Sequence, residues 1–574
     1  MKAAGGHARY TGTVDRQPPR TTSNEIDLYI RTYYSLLRSS GDVRVRSFEE
    51  AHVWSASSLH PGAQLPEPDL QAFAYSAARL PDCIIHTRRL VLGQSLEQFA
   101  RAGMPVETWT TVRTRGRRRP LRWDGNGTLA VFVASASDID DLVPIITAYQ
   151  VEWNKLHLRL ADRSADAGAL ADPALAALLR VDVDALATLR AAFAGGVAEG
   201  LAAVASHELD LTVRLLDGSF SEYQRSALTW WRAIETARPA LARRPVYFVS
   251  SNTHSLANLL GGYAFAHQDE LVDFIRADDR EQLAPRFEEA IAKGDDSARA
   301  NILYYTLRNY LRAAPHADAR HAAVQLHDQA RGIHTVESPA RIDVTAQVIE
   351  LARLSLDDLD PRAKVPGLEK LQRSDALVIN IDYPLGMAAY HHLAAVAQGT
   401  AELRGIYVMG KAATLNGRVG DVMLSKVVHD EHSANTYLIR NSLVADDVWP
   451  FMRHGTVLDN QKALTVRSAF LQNRSYMDVF YKEGYTVMEM EAGPYLSAMF
   501  ETTSPQRHPR NEIVNATDLS RSDFGLIHYA SDTPYSRRQS LLSKSMSYFG
   551  MESTYACALA IARRIFRLEL ERLG

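Results

Sequence analysis

One short acidic stretch, Glu489-Met490-Glu491, has residue types and a spacing that suit the binding of a sugar. It stands between an apolar run and a segment that begins Ala492-Gly493. A carboxylate at the end of a buried strand loses its hydration at a cost in free energy, so it is either paired with a cation or kept for a ligand. A vicinal diol is a suitable ligand, because one carboxylate accepts both hydroxyl groups in charge-assisted hydrogen bonds. The thioether between the acids would offer the sugar an apolar wall. A surface turn with two solvated glutamates is the alternative.

A second candidate site follows the apolar run 245–249. Ser250 and Ser251 come next, and then residues 252–255 lead into an apolar helical pattern. Small hydroxyl residues between a strand and a helix are typical of phosphate or sugar sites, because backbone N–H groups and the helix dipole point toward an anion there. Plain capping of the helix by these serines is the alternative. His254 is either a ligand contact or a partly buried structural histidine.

The elements that position these residues are predicted to alternate between strand and helix from Asp375 onward. Short apolar runs that end in turn residues indicate buried strands, and helical patterns lie between them. Because such alternation forms a mostly parallel sheet covered by helices on both faces, we expect an α/β fold with the candidate residues at the carboxyl ends of strands. The predicted strands are 376–381, 405–409, 420–424, 484–488 and 524–529.

Four motifs follow one another in residues 374–574. They are Asp-Tyr-Pro-Leu-Gly-Met-Ala-Ala at 382–389, Met-Gly-Lys-Ala-Ala-Thr-Leu at 409–415 with Gly-Asp-Val at 420–422, Glu-Met-Glu-Ala at 489–492, and Ser-Asp at 531–532. This order resembles the nucleoside phosphorylase/nucleosidase superfamily, which includes purine nucleoside phosphorylase, uridine phosphorylase, methylthioadenosine nucleosidase and AMP nucleosidase. The resemblance implies a three-layer α/β/α fold for this part of the chain.

The resemblance also implies a chemical role for several side chains. Cleavage of an N-glycosidic bond passes through an oxocarbenium-like sugar. A carboxylate near the ribose favours the developing positive charge, and an aspartate with a raised pKa can protonate the departing base. The residues so implied are Met490, Glu491 and Glu489 for the ribose, Asp532 as general acid with Ser531 orienting it, and Phe470 and Leu471 for stacking on the base.

The sequence leaves the nucleophile open between water and inorganic phosphate. Ala412-Ala413 stands where Ala-Gly or Cys-Gly is usual in the superfamily, and Val408-Met409 stands near the position where purine phosphorylases often have an arginine. Loss of the arginine favours water, whereas a lysine nearby could hold a phosphate that is inorganic or part of a nucleotide. No cofactor other than phosphate as a co-substrate, and no metal, is expected. The candidate phosphate or nucleophile residues are Lys411, Gly410, Ser250 and Ser251.

Length and composition predict several domains. The 574 residues are too many for one core, and the net charge of −3 gives no bulk attraction to nucleic acid or membrane. Two cysteines exclude a disulfide framework and fit a reducing cytoplasm, where we expect the protein. The superfamily's first strand is not found just before residue 375, so we expect residues 245–251 to supply it. The predicted organisation is a disordered tail (1–24), an α/β to mainly helical region of unknown role (25–240), the first strand and substrate loop (241–264), a helical insertion or linker (265–370) and the phosphorylase-like catalytic domain (371–574).

Two further motifs admit a functional and a structural interpretation. Six arginines between Arg113 and Arg122 could contact nucleic acid or phosphate, but the nearly neutral net charge favours a solvated loop. His429-Asp430-Glu431-His432 has a spacing that can chelate zinc. The resemblance instead implies a loop without metal at that position.

The sequence thus predicts an enzyme that cleaves the N-glycosidic bond of a nucleoside or nucleotide, by hydrolysis or phosphorolysis. A purine is favoured, because an aspartate suits protonation of a purine ring nitrogen. The expected partners are a small-molecule substrate and further copies of the chain, since members of the superfamily are usually homo-oligomers. A nucleoside- or nucleotide-binding sensor or assembly protein with a degenerate phosphorylase fold is the alternative.

Overall fold

The computed structural model describes residues 24–39, 41–163, 167–193, 196–239, 241–277, 279, 281–338, 342–517, 522–533 and 548–574. The tail predicted to be disordered lies outside these residues, except for Asn24, where the first helix begins. No helix within the described part is long and apolar enough to cross a membrane.

The N-terminal region, predicted to be α/β to mainly helical, contains a six-stranded mixed sheet. Its strands are β1 (Val43–Arg44), β2 (Arg89–Gly93), β3 (Thr110–Val112), β4 (Leu121–Trp123), β5 (Thr128–Phe132) and β6 (Thr212–Leu215). Their order is β1-β6-β2-β5-β4-β3, and β2 is parallel to both β5 and β6. At two to five residues each, most of these strands are too short to show strand periodicity in the sequence.

Helices cover this sheet and connect it to the rest of the chain. The long helix α5 begins with a capping box of Ser135 and Asp138. Trp230 and Trp231 of α9 pack against the C-terminal core instead of the N-terminal one. The helices are α1 (Asn24–Ser39), α2 (Arg46–Trp54), α3 (Leu70–Ala77), α4 (Leu96–Arg101), α5 (Ala136–Leu160), α6 (Asp172–Leu179), α7 (Leu186–Ala192), α8 (Val197–Ser206) and α9 (Phe220–Ala237).

The second sheet is large and mixed, so the expectation of a mostly parallel sheet is not confirmed. Its strands are β7 (Pro245–Ser251), β8 (Ile333–Val336), β9 (Ala346–Glu350), β10 (Leu377–Asp382), β11 (Glu402–Thr414), β12 (Val422–Asp430), β13 (Asn435–Leu438), β14 (Val457–Thr465), β15 (Tyr485–Glu489), β16 (Ile513–Asn515) and β17 (Asp523–Asp532). The order is β16-β13-β12-β14-β15-β11-β7-β10-β9-β8, and β17 pairs with both β11 and β12. Antiparallel pairs, such as β15 with β11 and β17 with β12, are interspersed with parallel ones.

Strand β7 lies between β10 and β11 and is parallel to both, with Val246 paired to Leu377 and Ser251 to Asp382. The segment that separates β7 from β10 in sequence was predicted to be helical, but it also contains β8 and β9, which extend the sheet beyond β10. Its helices are α10 (Ser255–Gly261), α11 (Tyr263–Ala266), α12 (Gln268–Ala277), α13 (Leu283–Ala292), α14 (Asp296–Arg312) and α15 (Ala317–Ala330).

Helices cover both faces of the large sheet. Alternate residues of β7 show the two sides, because Val246 and Phe248 join one core cluster and Tyr247 and Val249 the other. One face packs against α9, α16 and α19, and the other against α10, α14 and α20. The remaining helices are α16 (Ala388–Gly399), α17 (Ala445–Val448), α18 (Arg474–Lys482), α19 (Ala492–Thr503) and α20 (Phe549–Leu573).

Candidate active site

The carboxyl ends of β15 and β17 flank the end of β11, one on each side. Ala413 of β11 is paired with Met488 of β15 on one side and with Asp532 of β17 on the other. Neighbouring strands lie about 4.8 Å apart, so the backbones of the two acidic strand ends are roughly 10 Å from each other across β11. The structure therefore brings the Glu489-Met490-Glu491 and Ser531-Asp532 motifs to one region of the sheet.

Glu489 caps the helix that follows it. Its carboxylate accepts hydrogen bonds from the amides of Glu491 (2.7 Å) and Ala492 (2.6 Å) and from the hydroxyl group of Thr465. Burial, and then the charge of Glu491, raise the pKa of Glu489 to about 8, and these three hydrogen bonds oppose the rise. With most of its acceptor capacity used inside the fold, Glu489 supports the turn beneath the predicted ribose site.

Glu491, by contrast, lines a cavity of about 360 Å³. Within the described part of the chain, its carboxylate accepts only long hydrogen bonds, from the amides of Gly386 (3.4 Å) and Met490 (3.3 Å). Burial raises the pKa of Glu491 to about 7, and the Gly386 amide and the Arg117 guanidinium oppose the rise. Acceptor capacity therefore remains toward the cavity. Met490 is half-buried and packs against a small apolar cluster that contains Met488.

Asp532 is buried at the end of β17. One carboxylate oxygen accepts the Thr533 amide at 2.8 Å, and within the described residues the other has no hydrogen-bond partner. Burial raises the pKa of Asp532 to about 7, against the influence of that amide and of the Arg79 guanidinium. Asp532 is 1% exposed and is not among the cavity walls, whereas Ser531 is half-buried and donates weakly to the Ala412 carbonyl at 3.4 Å.

Two arginines from the N-terminal region interact with these acids, and no pattern in the sequence indicates their pairing. The Arg79 guanidinium lies 3.4 Å from the ring centroid of Tyr75 and attracts Asp532. The Arg117 guanidinium attracts Glu491. The candidate site is therefore assembled from both regions of the chain.

The arginine-rich segment predicted to be a solvated loop is a wall of the cavity. Arg117 and Arg119 form ion pairs with Asp141, and Arg119 also pairs with Asp138 at 2.9 Å. The acids of α5 neutralise these arginines locally, which the net charge of the whole chain does not reveal. Residues 114–120 thus face Arg312, Lys411 and Glu491 across the cavity, whose walls also include residues 342–344 and 383–385.

Phe470 and Leu471, the predicted base contacts, pack in the N-terminal core and are 1% and 2% exposed. The Phe470 ring meets Tyr75 edge-on at a centroid distance of 5.2 Å and lies 6.0 Å from the His52 ring. The surroundings of the Phe470 ring are therefore filled by the N-terminal region.

The predicted phosphate residues are divided by the structure. Ser250 and Ser251 are buried, and the Ser251 hydroxyl donates to the Asn380 side chain at 2.7 Å. The Asn252 side chain accepts the amides of His254 and Ser255, so these N–H groups are not available to an anion. Gly410 and Lys411 lie near the carboxyl end of β11, where Gly410 is half-buried and Lys411 is exposed toward the cavity.

The His429–His432 segment is occupied by local hydrogen bonds. His429 contacts the Thr436 hydroxyl at 2.8 Å, and His432 contacts Asp430 at 2.9 Å. The Glu431 carboxylate accepts the Arg467 amide at 3.1 Å. Among the described residues, no group of three or more His, Cys, Asp or Glu side chains is arranged to hold a metal ion.

Several solved nucleosidases and phosphorylases are similar to parts of this chain. They include a putative methylthioadenosine nucleosidase from Weissella paramesenteroides (11% identity, 43% of this chain and 92% of that chain, TM-score 0.27). An S-adenosylhomocysteine nucleosidase from Streptococcus pyogenes, in complex with 5-methylthiotubericidin, matches at 10% identity over 57% of this chain and 99% of that chain (TM-score 0.29). A methylthioadenosine phosphorylase from an antarctic soil metagenomic library matches at 7% identity over 34% and 73% (TM-score 0.26). At such TM-scores we base the function on this chain's own residues.

No curated protein matches the chain. A family model described as a family of unknown function, DUF6909, matches residues 45–567, which is most of the sequence. The chain therefore belongs to this family of unknown function, DUF6909.

Proposed function

We propose that this protein cleaves the N-glycosidic bond of a purine nucleoside or nucleotide. The observation that carries the proposal is the pairing of Ala413 with Met488 on one side and Asp532 on the other, which sets two acidic strand ends on the two sides of the end of β11. In both Glu491 and Asp532, burial raises the pKa to about 7. Two carboxyl groups that titrate near neutral pH can occupy opposite protonation states in one turnover.

In the proposed reaction, ionised Glu491 accepts the ribose hydroxyl groups and protonated Asp532 serves the base. The electrons of the C1′–N bond move to the base, which takes the proton from Asp532. The nucleophile, water or inorganic phosphate, then forms a bond to C1′ of the oxocarbenium-like sugar. The proton that water loses as it bonds, or a proton from solvent when phosphate attacks, restores the acid form of Asp532. From a nucleoside, hydrolysis yields ribose and phosphorolysis yields ribose 1-phosphate; from a nucleotide, each product also keeps the 5′-phosphoryl group. Glu491 stabilises the positive charge that develops on the sugar.

The test is incubation of the full-length protein with a panel of nucleosides and nucleotides, with and without inorganic phosphate, followed by chromatography of the released base. Asp532→Asn is expected to slow release by about 10²–10⁴-fold, the usual contribution of a general acid. Asp273→Asn, at a side chain 79% exposed on α12, is the matched control and keeps the wild-type rate. Undiminished release by Asp532→Asn would remove Asp532 from the proposed role.

One observation favours the sensor alternative. Asp532 is 1% exposed and does not line the cavity that Glu491 lines. A ligand held there without access to Asp532 would bind and persist. Binding of a panel member with no release of base from any member would favour the sensor over the enzyme.

A further inference from the structure

The cavity beside Glu491 has more basic than acidic side chains in its walls. An excess of positive charge in a concave site favours an anionic ligand. The basic residues are Arg115, Arg117, Arg118, Arg119, Arg312 and Lys411, and the acidic ones are Asp138, Asp343 and Glu491.

Most of these arginines are already committed within the fold. Arg117 and Arg119 are held by the acids of α5. The Arg115 guanidinium donates to two backbone carbonyl groups at the end of α7, at 2.6 and 2.9 Å. Arg118 pairs with Asp382 and lies 4.8 Å from the ring centroid of Tyr383. Its Nη1 contacts Asp382 and its Nη2 donates to the Tyr383 carbonyl at 3.3 Å. Each of these nitrogens carries a second N–H, and the side chain is 41% exposed, so Arg118 can still donate to a ligand.

Lys411 and Arg312 differ from these arginines. Neither side chain forms an ion pair or hydrogen bond with any other residue in the described part of the chain, and both are exposed toward the cavity. Lys411 stands near the end of β11, and Arg312 is the last residue of α14. Two cations from separate elements, each without a partner among the described residues, thus line one cavity.

The electrostatic effect of this convergence is visible in the neighbouring groups. Partial desolvation within the cavity, followed by the charges of Arg308 and Arg118, lowers the pKa of Lys411. Desolvation by the surrounding protein, followed by the charges of Arg308, Lys411, Arg312 and Arg118, lowers the pKa of His254 to about 3, although its side chain is not closed off from solvent. His254 is therefore neutral near pH 7 and can contribute a hydrogen bond but no charge. An anion would remove the mutual repulsion of the cations around it.

We propose that Lys411, Arg312 and Arg118 form a phosphate site at the junction of β11, α14 and the β3–β4 loop. Phosphate oxygens accept charge-assisted hydrogen bonds from all three side chains, and the guanidinium fork suits bidentate contact. Two of the three cations come from outside residues 371–574, so the N-terminal region and the segment between β7 and β10 both contribute to the site. The phosphate is either inorganic phosphate or the phosphoryl group of a nucleotide, and this choice rests on the proposed function.

Binding is tested first, because it does not require turnover. Full-length protein is titrated calorimetrically with inorganic phosphate, and Asp532→Asn protein is titrated with adenosine monophosphate. Lys411→Met and Arg312→Gln are each expected to weaken the affinity for at least one of these anions by tenfold or more. Lys293→Met and Arg276→Gln, at exposed side chains of the same helical segment, are the matched controls and keep the wild-type affinity. Equal affinities in wild type and cavity variants, or no binding of either anion, would overturn the site.

Substrate comparisons then separate the two sources of phosphate. If the site holds a nucleotide, adenosine monophosphate binds at least tenfold more tightly than adenosine, and inorganic phosphate competes with it. If the site holds the nucleophile, base release from adenosine requires inorganic phosphate and yields ribose 1-phosphate.

The two proposals can fail separately. Phosphate binding that depends on Lys411 and Arg312, without base release from any substrate, would leave the phosphate site standing and remove the enzymatic function. If Lys411→Met and Arg312→Gln release base with unchanged kinetic constants and unchanged anion affinities, the enzymatic function stands and the phosphate site is removed.

Discussion

The guanidinium group of Arg117 binds both carboxylate oxygens of Asp141, with Nε–Oδ2 and Nη2–Oδ1 distances of 2.9 and 2.5 Å. Asp141 is 1% exposed and also accepts from Arg119 at 3.2 Å. Burial raises the pKa of Asp141, but the charges of Arg117 and Arg119 outweigh this effect and lower it. This cluster ties the β3–β4 loop to α5 and so holds one wall of the cavity in place.

Replacing Asp141 by Asn is expected to destabilise the protein by about 3–5 kcal/mol, because it leaves buried guanidinium charge without its partner. A lower melting temperature than wild type, with Asp273→Asn unchanged, is the expected measurement. The ion pair contributes stability above the unfolded pKa of an aspartate, about 3.9, and loses it as pH falls through the lower folded value. The stability difference between Asp141→Asn and wild type should therefore be constant at neutral pH and shrink in acid. A difference that grows in acid would contradict this assignment.

The pH dependence of the proposed reaction follows from two acids in opposite roles. The pKa values of Glu491 and Asp532 are both raised to about 7. Glu491 must be ionised and Asp532 protonated, so kcat/KM should form a bell centred near pH 7, with an acidic limb set by Glu491 and an alkaline limb set by Asp532. Asp532→Asn is expected to flatten the alkaline limb, and Glu491→Gln the acidic limb. Identical profiles for both variants and wild type would separate these acids from the chemistry.

The ribose role of Glu491 predicts a change in substrate preference. Wild type should prefer a ribonucleoside to its 2′-deoxy analogue, because the carboxylate accepts the missing hydroxyl group. Glu491→Gln should lower kcat/KM for the ribonucleoside by at least tenfold. The kcat/KM values for the ribonucleoside and its 2′-deoxy analogue should then be similar. Glu483→Gln, at an exposed residue just before β15, serves as the control and keeps the preference. A preference that survives in Glu491→Gln would place the diol elsewhere.

Gly386 connects the two regions of the chain at the edge of the site. A Cβ at this position would lie 2.2 Å from Ser137 Oγ, and the backbone φ is +53°. Gly386→Ala should therefore lower the melting temperature and weaken ligand affinity, because it pushes α5 away from the turn that contacts Glu491. Gly103 also has a positive φ, +77°, but a Cβ added there would meet no other part of the chain within 4 Å. Gly103→Ala should show only the conformational cost of about 1–2 kcal/mol, and equal effects of the two substitutions would contradict the steric explanation.

Local sequence patterns predict many of the strands and helices, but they do not predict the contacts between residues far apart in sequence. The apolar runs at β7, β10, β15 and β17 are long enough to identify as strands, and their terminal residues could be placed at strand ends. Whether an acid at such an end is free or occupied depends on partners far away in sequence. The Glu489 carboxylate accepts a hydrogen bond from Thr465, whereas the Glu491 carboxylate accepts only a long one from Gly386 among side chains and amides distant in the described sequence. Both acids nevertheless belong to the same short motif.

The arginine-rich loop shows the same limit from the other side. Its high positive charge predicts a solvent-exposed loop. The structure differs because acids of α5 neutralise the arginines, and these acids come close to the loop only when the N-terminal region folds. Phe470 was assigned by its motif to a base. Its ring instead meets Tyr75, a contact that no pattern within residues 371–574 could predict.

The placement of β7 has a consequence for how the chain matures. β7 precedes both of its partner strands in sequence. During synthesis it therefore stays without these partners until α10 to α15, and then β10 and β11, have been made. The interior of this sheet therefore closes late, and the nascent chain depends on its apolar strand staying shielded meanwhile. Without β7, the strands β10 and β11 of residues 371–574 would each have an unpaired edge, and unpaired strand edges can pair with other chains.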